Sequence, residues 1–146
     1  MWTIEVAADA AADRETVWAW YEATDEAPSW DPLIRRIEPD GPMAIGSGGR
    51  NHPVGGPSVR FRYTEVTRVV SYTEVSSSPG ASFAFTHRLE EAFGGRVRLV
   101  HGVEVSGPLA GLYRLLVRRR FERGMREALD NLVRRVEAGP PLERRS

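Results

Sequence analysis

The sequence predicts an α+β fold in which one long amphipathic helix packs on a strongly curved antiparallel sheet. Two observations carry this expectation. Between residues 33 and 106, short stretches with strand-like composition are separated by turns rich in Gly, Pro, Ser and Asp. After Pro108, apolar residues recur mostly at spacings of three and four for about thirty residues.

The elements follow in order. Trp2, Ile4 and Val6 alternate with Thr3 and Glu5, the period of a half-buried strand over residues 2–7. Asp13 is suited to cap a helix running to about Ala23, with Glu15 in its first turn and Val17, Trp20 and Tyr21 at helical spacing. Trp18 lies on a different face, so either both sides of this helix are covered or one indole borders a cavity. Ala27-Pro28-Ser29 breaks the pattern, and Trp30-Asp31-Pro32 reads as a turn in which Asp31 acts as a cap. Strands are then expected at Leu33 to Glu38, more weakly within Gly46 to Gly56, and at 58–67, 69–76, 82–90 and 96–105, seven with the first. The Gly-rich stretch is either a plain hairpin or a flexible gate. Val66 breaks the parity of Val59, Phe61 and Tyr63, which marks a bulge or strand end and leaves the inward face of that strand open.

The terminal helix opens at Ser106-Gly107-Pro108, with Pro in its first turn. One face carries Leu109, Leu112, Tyr113, Leu116, Phe121, Met125, Leu129, Leu132, Val133 and Val136; the other carries Arg118, Arg119, Glu122, Arg123 and Arg126. At ~1.5 Å per residue the helix spans roughly 45 Å, against ~30 Å for a nine-residue strand. It must cross the sheet obliquely or bend, and Gly124 is the natural place for a kink. Gly139-Pro140-Pro141 ends it, so residues 1–138 read as one domain and 139–146 as a flexible tail.

Composition narrows the function. Leu, Ile, Val and Phe make 34 of 146 residues, enough to exclude wholesale disorder. Without cysteine there is no disulfide, thiolate zinc site, iron–sulfur cluster or thiol nucleophile. All 20 basic residues are Arg, which excludes a lysine Schiff base. No apolar run reaches the ~20 residues of a membrane span, and no basic-then-apolar leader opens the chain; the sequence reads as soluble, unexported and cytoplasmic. Net charge is zero, but residues 1–106 hold 10 Arg and 15 acids, while 107–146 hold 10 Arg and 5 acids. That is not the balance of a uniformly basic nucleic-acid binder, and no nucleic-acid partner is expected; the basic helix face remains a candidate partner surface.

The residues best placed for chemistry lie on the last hairpin. Phe83, Phe85, His87 and Leu89 share one face, and Val97, Leu99, His101, Val103 and Val105 share one face of the next strand. A loop of three to five residues would put His87 and His101 opposite or diagonal to one another. Two inward imidazoles can work as base and acid near neutral pH, or simply hydrogen-bond a neighbour and fill core volume. No metal site is expected, since no third His is spaced to join them and His52 sits in the Gly-rich region.

Glu15-Thr16-Val17-Trp18, Trp30-Asp31-Pro32, the run from Phe83 to Glu90, Arg96 to His101 and Ser106-Gly107-Pro108-Leu109, in this element order, resemble the helix-grip fold of the START and birch-pollen-allergen superfamily. The resemblance is closest to its polyketide cyclase/dehydrase-like branch, often called SRPBCC proteins. It implies two short helices after the first strand and a deep, largely apolar pocket between sheet and long helix. It also implies a small hydrophobic ligand (polyketide-like, aromatic or lipidic), and either cofactor-independent cyclisation or dehydration, or non-catalytic carriage or sensing. The residues expected to line such a pocket are Trp18, Trp30, Phe61, Tyr63, Tyr72, Phe83, Phe85, Leu99 and Tyr113, with His87 and His101 as the catalytic candidates.

Overall fold

The computed structural model describes residues 1–142. Its strands are β1 (Trp2–Ala10), β2 (Ile34–Pro39), β3 (Gly48–Pro53), β4 (Val59–Thr67), β5 (Ser71–Ser78), β6 (Ala81–Glu91) and β7 (Val97–Ser106). They form one antiparallel sheet in the order β1-β7-β6-β5-β4-β3-β2. The chain meanders from β2 to β7 and β1 closes beside β7, so every strand after the first finds its sequence neighbour. Helix α1 (Arg14–Glu22) and a 3-10 turn (Thr24–Ser29) fill the β1–β2 connection, and α2 (Ala110–Ala138) is the long helix.

Local chemistry sets these boundaries. Asp13 caps α1 by accepting from the Thr16 N–H at 2.7 Å. The register shift between Tyr63 and Glu65 is the bulge that Val66 announces, and it restores Val66 to the partly buried side. Phe61 and Tyr63 are buried whereas Arg60 and Arg62 are exposed, which fixes the inward face of β4. The Gly-rich stretch forms an interior strand: a Cβ on Gly48 would lie 2.0 Å from the Phe61 carbonyl oxygen, so only glycine allows this approach.

Helix α2 runs beside β1. Trp2 Nε1 donates to the Ala110 carbonyl at 2.7 Å near its start, and Ala11 N donates to Glu137 at 2.8 Å near its end. Its C-terminal half forms the solid core: Met125, Leu129, Leu132 and Val136 are buried with Leu89, Val97, Leu99 and Trp18. Its N-terminal half departs from the expected apolar face. Leu109, Leu112 and Leu116 are exposed, Leu116 at 69%, and only Tyr113, Val117 and Phe121 are partly buried there. That part of the helix stands over a hollow instead of resting on sheet side chains. Gly124 has a packing role, because a Cβ there would meet Leu33 Cγ at 2.6 Å. Of the expected tail, residues 143–146 lie outside the described residues; Gly139 accepts from Trp20 Nε1 at 2.8 Å and Pro141 is buried, which ties the segment to α1. No helix among the described residues is long and apolar enough to cross a membrane.

Candidate active site

A cavity of about 390 Å³ lies between the sheet and the N-terminal half of α2. One wall is aromatic sheet surface, the opposite wall is Tyr113, Val117, Phe121 and Met125 of α2, and the loop 54–57 with Arg120 lies along its edge. Arg120 is fixed there by donating to the Val54 carbonyl.

His87 and His101 are directly opposite on β6 and β7, with ring centroids 4.6 Å apart. Both border the hollow. Leu99, two residues from His101 towards the filled end of the sheet, does not border it and is fully buried opposite Leu89. The imidazoles therefore sit where packed core gives way to empty space. The Tyr21 hydroxyl is 2.7 Å from His101 Nε2, which fixes that ring. His87 stacks on Tyr72 at 4.2 Å with planes 7° apart, and its Nδ1 is buried without a partner.

Of the aromatic residues expected at the pocket, Trp30, Tyr63, Tyr72, Phe83, Phe85 and Tyr113 border the hollow, and Trp18 and Phe61 do not. Trp18 is 1% exposed and packs edge-on to Tyr21 and Tyr72 from α1. Phe61 is buried edge-on to Tyr63. His52 is hydrogen-bonded to Glu38 and does not border the hollow either.

Further polar residues line the cavity, among them the ionisable Tyr21, Asp31 and Glu74. Glu74 follows Tyr72 by two in β5 and so shares its inward face, a signal present in the sequence. Asp31 is the expected cap, accepting from the Leu33 N–H at 2.9 Å, and also contributes to the cavity wall. The turn that carries it is braced from α2, where Asn131 donates to the Trp30 carbonyl at 3.1 Å and Arg135 to that of Ser29 at 3.2 Å.

Enclosure sets the protonation of this group. Burial pushes the Glu74 carboxyl up to about 7, helped by nearby Asp31. Burial likewise lifts Asp31 to about 6, opposed by the Leu33 N–H. The same loss of hydration acts in reverse on the imidazoles. It drives His101 down to about 3 and holds His87 well below the usual histidine range, with His101 adding to the effect. The Tyr21, Tyr63 and Tyr72 phenols are all raised by burial and stay protonated. At neutral pH the cavity thus holds two neutral imidazoles, the protonated phenols of Tyr21, Tyr63 and Tyr72, and a carboxyl group poised between its two forms. Trp30 Nε1 and Asn51 Oδ1 are buried without partners as well. Among the described residues no three His, Cys, Asp or Glu side chains are grouped to hold a metal ion.

Residues 1–137 match the family described as polyketide cyclase / dehydrase and lipid transport. Among curated proteins the sequence has no match. Solved structures share the fold at low identity. A Streptomyces aromatase/cyclase, Zhui, superposes with a TM-score of 0.76 at 16% identity, covering 93% of each chain. Norcoclaurine synthase from Thalictrum flavum, solved with dopamine and hydroxybenzaldehyde, gives 0.70 at 15% identity over 99% of this chain and 88% of its own. A Thermus thermophilus protein gives 0.73 at 17% over 93% and 97%.

Proposed function

The chain belongs to the polyketide cyclase / dehydrase and lipid transport family, and on that premise we propose that its cavity binds a small, largely hydrophobic molecule and moves a proton on it without a cofactor. The observation that carries this reading is that Glu74, His87 and Asp31 face a hollow whose walls are largely apolar and aromatic. Small-molecule sites have this composition, an apolar wall that supplies affinity with a few convergent polar groups that orient the ligand. Glu74 titrates near neutrality, the range in which a general acid–base group is most effective. The unpartnered His87 Nδ1 is a second group for a proton next to a carbonyl. The phenols of Tyr63 and Tyr72 hold ligand oxygens, and holding a flexible chain in one conformation supplies the entropic part of the acceleration.

The second reading is carriage or sensing without turnover, and the Tyr21–His101 contact favours it, because that imidazole is already engaged by the protein. The two are separated in two steps. Thermal shift with neutral naphthols and short aryl ketones is expected to raise the melting temperature; no response across the panel would remove both readings. His87→Gln is then expected to keep binding and lose turnover, whereas His101→Gln tests the fixed partner. Unchanged turnover in both variants would take the imidazoles out of the mechanism.

A further inference from the structure

We propose that the cavity selects ligands in which an aromatic body carries a protonated amine, the ammonium group pairing with Asp31 and Glu74. This rests on the reading that the hollow is a ligand site. Glu74 has no hydrogen bond or ion pair from any described residue, although it is partly buried and lines the hollow. Asp31 uses Oδ1 on the Leu33 N–H, and its other oxygen has no partner. Two carboxyl groups therefore face one hollow, near enough that Asp31 raises the pKa of Glu74, and no Arg among the described residues pairs with either. Arg120, the one Arg that the described residues contribute to the cavity wall, is engaged at the edge by the Val54 carbonyl.

An enclosed acid without a partner is costly, and a ligand ammonium supplies both the charge and the donors that are missing. The surrounding rings act in the same direction. Tyr21 lies edge-on to Trp30 and Tyr72, with centroids 6.5 and 5.2 Å away, and electron-rich ring faces attract an organic cation. An anionic ligand meets the opposite situation, two acids facing the same hollow.

The pH dependence follows from the groups that share the hollow. Tyr21 of α1, Tyr63 of β4 and Tyr72 of β5 remain neutral phenols. His87 of β6 and His101 of β7 remain neutral imidazoles above pH 6.5. Among the groups whose pKa the cavity shifts, Asp31 and Glu74 are the ones that change charge between about pH 5 and about pH 8.5.

The test is calorimetric binding of three probes with one ring system: naphthylethylamine, naphthylethanol and naphthylacetate. At about pH 8.5 the amine is expected to bind at least about tenfold more tightly than the alcohol, with the acetate weakest. The advantage of the amine should shrink towards about pH 5 as both carboxyl groups take up protons, while the alcohol stays level. Glu74→Gln should remove most of that advantage, read as the ratio of amine to alcohol affinity within the variant, and Asp31→Asn, which keeps the acceptor for Leu33, should reduce it. Equal or tighter binding of the alcohol at about pH 8.5 would overturn the ammonium proposal while the hollow stands as a ligand site. Failure of all three probes to bind would overturn both.

Discussion

Replacing Glu74 by Gln removes one ionisable proton and little else, so its effect on stability can be worked out from the site. The folded-state pKa is about 7 against an ordinary value of 4.5. Because it is raised, its contribution to stability is fully present below about pH 4.5 and is lost as pH rises through about 7. At ~1.4 kcal/mol per unit, the loss is on the order of 3 kcal/mol. Gln has the same shape and no such term. The stability difference, variant minus wild type, should therefore be level below about pH 4.5, climb by ~1.4 kcal/mol per pH unit, and flatten above about 7. His101 titrates with the opposite sign: its folded pKa of about 3 lies below 6.5, so its contribution is present above pH 6.5 and lost as pH falls. It is common to both proteins and cancels in the difference. Urea unfolding at five pH values reads the quantity directly, and the corresponding rise in melting temperature at high pH is roughly 6–12 °C for a chain of this length. A difference that stays constant across the range would show that Glu74 ionises as it does in water, and the electrostatic account of the cavity would fail with it.

Further outcomes can be checked by the same unfolding measurements. Tyr21→Phe leaves His101 Nε2 without its 2.7 Å partner and should cost about 1–3 kcal/mol; a neutral effect would mean that the pair does not fix the ring. Leu132→Ala, at a fully buried site in the solid half of the core, should cost about 2–5 kcal/mol, whereas Leu115→Ala, 85% exposed on the other half of the same helix, should change stability by less than about 0.5 kcal/mol. Asp13→Ala removes the cap on Thr16 N and should cost about 1 kcal/mol, most visible as faster amide exchange in the first turn of α1.

The strands and both helices are legible because each rests on a local signal: period-two alternation in β1, β6 and β7, an Asp cap before α1, and the helical spacing of α2, although Pro108 lies in the turn before that helix and not in its first turn. The opposed histidines were legible for the same reason, since a five-residue loop between β6 and β7 fixes the pairing. What local pattern could not supply was where the interior is full and where it is empty. Leu99 and Phe85 look alike as inward strand residues, yet Leu99 packs beneath the occupied half of the sheet and Phe85 borders the hollow. The same ambiguity put Leu112 and Leu116 on the expected core face. Glu74 is harder to place because a carboxylate in a strand ordinarily marks the solvent side, although its parity with Tyr72 puts it inward. Asp31 reads as a cap, which it is, but a cap residue has a second oxygen, and Asp31 also lines the cavity.

The hollow is a consequence of how α2 is anchored, and this connects the fold to the chemistry. Hydrogen bonds near both ends hold the helix along β1, from Trp2 with Ala110 to Ala11 with Glu137. Its C-terminal half puts Leu129, Leu132 and Val136 into the core, and Gly124 is needed at mid-helix because Leu33 occupies the space a Cβ would take. Beyond that point the inward residues are Phe121, Val117 and Tyr113. Phe121 meets Phe83 and Phe85 with centroids 5.9 and 6.1 Å away, and Tyr113 meets Phe83 at 5.4 Å. These rings hold helix and sheet together on one side of the cavity and leave the middle open towards β4 and β5. Solid packing at one end and ring contacts at the other leave the side chains between them largely surrounded by protein, and that loss of hydration lifts Glu74 and Asp31 while lowering His87 and His101. The shifts in the carboxyl groups and the imidazoles thus share their largest cause. A substitution that floods the cavity, such as Phe121→Ser, should move all four back towards their ordinary values together; movement of one group alone would assign its shift to a local contact.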